Sequence, residues 1–68
     1  MKREGLLKHL RKNGCVLLHE GGSHSWWVNT ALNRRSSVPR HVEIDDSLAV
    51  KICQDLAIPS IKEIKRIK

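Results

Sequence analysis

Helical periodicity at both ends of the chain and none in its middle restricts the fold more than any other feature. Leu6, Leu7 and Leu10 share one face of a helix over residues 3–13, with Lys8, Arg11 and Lys12 pointing away. Gly14 follows where a left-handed C-terminal glycine belongs. Leu48, Ala49, Ile52, Cys53 and Leu56 form a second amphipathic stripe, with Asp45 or Asp46 as N-cap and Pro59 as the interruption. Between the stripes, glycine and proline cut the chain into short extended pieces. Residues 15–20 (CVLLHE) are bounded by glycines and read as a strand, Gly21-Gly22-Ser23 turns the chain, and residues 24–29 (HSWWVN) return as a hairpin partner. Alternation sets His24, Trp26 and Val28 on one face and Ser25 and Trp27 on the other, so one tryptophan is expected buried and one partly exposed. Which face is the core stays open. A polar connection over residues 30–35 leads to a third strand at 36–40, which belongs at a sheet edge because Pro39 cannot donate to a ladder.

Two helices with one apolar face each must cover one side of the small antiparallel sheet, giving an α+β domain of order αβββα. With 68 residues, about 60% of the unfolded surface can be buried. That allows one thin core and no separate cofactor-binding domain, so no cofactor is expected. The domain is assigned to residues 1–59. Residues 60–68 form a basic tail, with a capping-box pattern at Ser60 and Glu63 and isoleucines at 61, 64 and 67, read as a short third helix or a solvated extension.

Thirteen Lys and Arg against seven Asp and Glu leave +6, which favours a polyanionic partner, nucleic acid before a membrane surface. An apolar content of 40% excludes a disordered basic tail. No apolar run approaches the roughly 20 residues of a membrane span and no leader pattern opens the chain, so a soluble, unprocessed protein is expected. Two cysteines cannot build a disulfide framework, and a reducing cytoplasm fits them.

Histidine is the side chain suited to proton transfer near neutrality, and there are four. His9 reads as a solvated helix position, and His19, alternating with Leu17, as a structural or rim residue. His24 differs, because the glycine turn before it lets backbone N–H groups approach a phosphate while the imidazole stands at a strand end. His41, after Arg40, can face the same anion. Cys15, His19 and His24 have loosely ligand-like spacing, but strand alternation separates them by face, and no metal is expected. Both cysteines read as small core residues. Neither helix joins a basic face to base-reading residues, which argues against a DNA-binding protein.

The leucine-rich helix ending in Asn-Gly (LLKHLRKNG), Gly22-Ser23-His24 followed by an aromatic strand, and Val38-Pro39-x-His41 before an amphipathic helix together resemble the HicA family of toxins over residues 3–59. HicA proteins are small mRNA interferases of prokaryotic toxin–antitoxin pairs. The chain departs from the family in carrying Glu20-Gly21 before the turn and Asp46-Ser47 at the last helix. The resemblance implies a double-stranded-RNA-binding-domain-like fold and a metal-independent endoribonuclease with His24 as catalytic residue. RNA contacts are then expected from Gly22, Ser23, Arg34, Arg35, Arg40 and His41, with mRNA as substrate and a HicB-type antitoxin as inhibitor. The rival expectation is a module of the same fold that binds RNA and cuts nothing.

Overall fold

The computed structural model describes residues 1–60. The order is α1 (Arg3–Lys12), β1 (Cys15–Glu20), β2 (His24–Asn29), β3 (Arg34–Pro39) and α2 (Asp46–Asp55). The basic tail read over residues 60–68 lies, apart from Ser60, outside the described residues. No helix among the described residues is long and apolar enough to cross a membrane.

The three strands form one antiparallel sheet in the order β1-β2-β3. Opposite residues of antiparallel strands share a face, so the pairs Ser25↔Val38, Trp27↔Ser36 and Cys15↔Asn29 fix the inner side. Both helices cover that side. Leu6, Leu7 and Leu10 of α1 meet Cys15, Trp27 and Val38 of the sheet and Ala49, Ile52 and Cys53 of α2 in one core. Trp27 is therefore the buried tryptophan, at 4% exposure, and Trp26 the open one, at 41%. The Trp27 ring carries the Arg11 guanidinium over its face at 5.5 Å, while its indole N–H is buried without a partner among the described residues.

Each helix ends through a local device. Gly14 has φ +87° and its N–H donates to the Arg11 carbonyl at 3.1 Å, as the glycine reading required. α2 stops before Pro59 acts. Ala57 takes φ +58°, Ala57 N–H reaches Gln54 O at 3.0 Å, and Ile58 N–H reaches Cys53 O at 3.0 Å, a Schellman closure built on alanine. Asn29 Nδ2, buried at the end of β2, donates to Leu56 O at 2.8 Å and ties this helix end to the sheet. Asp45 occupies the N-cap position of α2 without a side-chain cap bond.

Three expectations need correction. β3 begins at Arg34, two residues earlier than the charged connection suggested, so Arg34 and Arg35 are strand residues opposite Asn29 and Val28. Asn33, with φ +55°, supplies the left-handed turn residue before them. His9 is half-buried, and its Nε2 lies 2.7 Å from Pro59 O, anchoring the chain beyond α2. The alternation of β1 is broken between Leu17 and His19, so that Leu17 opposes Trp27 but His19 opposes Trp26. Leu18 is the extra residue of a bulge. The bulge carries His19 to the open face and Glu20 to the inner face, opposite Ser25.

Candidate functional site

One end of the sheet gathers most of the residues singled out in the sequence. His24 opens β2 and pairs with Pro39, the last residue of β3, so the Gly21-Gly22-Ser23 turn stands beside Arg40 and the start of the loop to α2. His24 is exposed, and its Nδ1 lies 3.1 Å from Ser23 Oγ. That contact orients the ring and leaves Nε2 available to a substrate. His41 is exposed two residues beyond Pro39.

A polar network beneath the turn holds this end together. Arg3 reaches from α1 to donate through Nε to Pro39 O and through Nη2 to Ser25 Oγ, both at 2.8 Å. Ser25, 1% exposed, donates in turn to Glu20 Oε1 at 3.2 Å. The same carboxylate oxygen accepts from Arg40 Nη1 at 2.8 Å, and that nitrogen also lies 3.3 Å from Gly21 O. The first helix, β1, β2 and the residue that follows β3 therefore meet in four side chains. Arg40, expected as a phosphate contact, is paired with Glu20 in this structure, both partners about half exposed. Sequence reasoning missed Arg3, Glu20 and Ser25. Only the acidic Glu20 directly before the two glycines marked the place, and the bulge that turns it inward left no signal.

The turn glycines differ in kind. A Cβ on Gly21 would stand 3.1 Å from His24 O, the same oxygen that accepts the Gly21 N–H at 2.8 Å. A Cβ on Gly22 would meet nothing within 4 Å. Gly21 is thus needed for the close crossing of the hairpin, while Gly22 leaves open space at the site where an anion would approach the backbone.

The remaining candidates are not brought to this end. Arg35 opposes Val28 and shares the open face with His24, about 13 Å along the strand, and Arg34 lies one residue further on the inner side. Cys15 faces the core, whereas His19 and His24 face out, so the ligand-like spacing does not converge. Burial pushes the Cys15 thiol up, away from the nucleophilic thiolate. Glu43 belongs to the loop between β3 and α2. Lys2, 3.0 Å away, holds its carboxyl below the usual carboxylate range by hydrogen bonding and by charge. Backbone bonds from Arg3 N to Val42 O and from Ile44 N to Met1 O, each 2.8 Å, fasten that loop to the start of α1.

The arrangement offers an exposed imidazole, a hydroxyl, open space beside Gly22 and a nearby guanidinium, a set suited to an anion and to proton transfer. No curated protein and no solved structure matches the chain. The family described as HicA toxin of bacterial toxin-antitoxin matches residues 4–58, which takes in the turn, the three strands, α2 and all of α1 but its first residue, Arg3, and the chain belongs to that family of toxins.

Proposed function

We propose that this toxin is an endoribonuclease that cleaves mRNA in the cytoplasm with His24 as catalytic group and no metal, and that a HicB-type antitoxin neutralises it by covering the His24 surface. The observation that supports this reading most is the exposed His24 imidazole, oriented by Ser23 at the end of an open glycine turn. RNA brings its own nucleophile. The 2′-oxygen attacks the adjacent phosphorus, the bond from phosphorus to the 5′-oxygen breaks, and the products are a cyclic phosphate and a free 5′-hydroxyl. His24 takes the 2′-hydroxyl proton or delivers one to the departing 5′-oxygen, a role worth on the order of 10² to 10⁴ in rate. Gly22 and Ser23 hold the phosphate, Arg34, Arg35 and Arg40 supply cationic surroundings for the RNA, and His41 adds a further contact.

The test is incubation of the purified chain with long single-stranded RNA in EDTA. Fragmentation is expected, and it should disappear in His24→Ala while the thermal melt stays at that of the parent. RNA that is bound and left intact would make the chain a binding module. Cleavage that stops on chelation and returns with magnesium or manganese would overturn the metal-free histidine mechanism.

A further inference from the structure

We propose that the open face of the sheet is a track for single-stranded RNA, on which one base stacks on Trp26 and a backbone phosphate meets Arg35. This rests on the ribonuclease reading and extends it from the turn to a binding surface. Among the described residues the helices cover only the inner side of the sheet, and the outer side carries large apolar groups in the open. Val16, opposite the buried Val28, and Leu18 in the bulge are each 49% exposed on β1, and Trp26 on β2 is 41% exposed. A face this apolar asks for an occupant.

Three observations favour RNA. The first is continuity with the candidate site: Trp26 is two residues from His24 on the same face, about 7 Å away, on the order of the rise of one nucleotide in a stretched strand. A base stacked on Trp26 therefore belongs to a nucleotide next to the phosphate at His24. The second is charge. The β1 bulge delivers His19 to the position opposite Trp26 and turns Glu20 to the other side, and β3 presents Arg35 opposite Val28. Strand pairing sets cationic and imidazole groups and no carboxylate on this face, and the depression that Trp26 and Arg35 line at its edge also holds Asp55, balanced by Lys51 at 3.5 Å, so the charge stays complementary to a polyanion. The third is shape. A flat aromatic on an open sheet stacks on unpaired bases, whereas bases in a duplex are already stacked on one another.

The test measures binding of a labelled oligouridylate to the His24→Ala chain, which keeps the RNA uncut, and compares it with double variants. Adding Trp26→Ala should weaken binding roughly 5- to 100-fold, while Trp26→Phe should retain most of the affinity. Arg35→Gln should reduce the slope of log affinity against log salt by about 0.7, the value for one phosphate contact in a single strand. Duplex RNA should be bound equally with and without Trp26. Far-ultraviolet dichroism and melting confirm that each variant is folded, as expected for an exposed residue. Parent-level oligouridylate binding by the folded Trp26→Ala variant overturns the track, as does no binding by the His24→Ala chain at low salt. The ribonuclease reading is judged separately by cleavage. If Trp26→Ala in an otherwise parental chain cuts RNA as efficiently as the parent and loses affinity only for the antitoxin, the face belongs to a protein and the track is wrong.

Discussion

Gly21 and Gly22 are neighbours with different jobs, and substitution separates them. Alanine at Gly21 must push its Cβ against the His24 carbonyl oxygen at 3.1 Å, disturbing the bond that closes the hairpin. Gly21→Ala should cost on the order of 1 kcal/mol, a drop of roughly 4 to 8 °C in melting temperature for a domain of this size. Gly22→Ala has free space for its methyl group and should melt at or slightly above the parent. On the proposed ribonuclease reading it should nevertheless cleave RNA more slowly, because the methyl group would occupy the space in which a phosphate meets the turn. Parent-level cleavage by Gly22→Ala would remove the turn amides from the phosphate site. The sequence made the turn and the histidine legible, since glycine pairs and strand ends have local signatures. It could not distinguish the two glycines, because the difference lies in what stands across the hairpin from each.

The elements were legible where periodicity carries them and obscure where tertiary contacts overrule it. The leucine stripe of α1, the glycine stop at Gly14 and the split between two tryptophans follow from spacing alone. The beginning of β3 was hidden because Arg34 and Arg35 look like loop residues. In the folded chain Arg35 lies on the open face and Arg34 at the strand end, where charge is tolerated. The β1 bulge left no trace in CVLLHE, a run without glycine, yet it decides that Glu20 meets Ser25 and Arg40. That pair is half exposed and contributes about 0–1 kcal/mol to stability. A phosphate can therefore compete with Glu20 for Arg40. Glu20→Gln should shift the melt by a few degrees at most, tighten RNA binding and steepen its salt slope by about 0.7 as Arg40 becomes free to meet a phosphate. Weaker binding would mean instead that Arg40 acts by bracing the Gly21 carbonyl and needs Glu20 to hold it there.

At the scale of the whole molecule, the sequence left open which side of the sheet is the core, because each face of β2 carries a tryptophan. The two helix stripes require one shared side, since covering both sides would need two separate cores, and the packing of Trp27 and Val38 against them shows which side it is. The result is a single small cluster whose largest fully buried members, Leu6, Leu10, Ile52 and Leu56, come from or adjoin the helices. A chain of 68 residues has a total stability of about 3 to 10 kcal/mol. Truncating a fully buried leucine costs about 2 to 5 kcal/mol, a large part of that total. Leu10, 0% exposed in the last turn of α1, is the sharpest case. Leu10→Ala should lower the melting temperature by more than 10 °C or abolish cooperative melting, and lose toxicity through unfolding. Trp26→Ala removes a larger side chain from the open face and should leave the melt within a few degrees of the parent. Calorimetry of the two variants side by side decides the matter. If Trp26→Ala is the more destabilised, the outer face is part of the structural core, and the exposed apolar groups along β1 stabilise the fold instead of waiting for a partner.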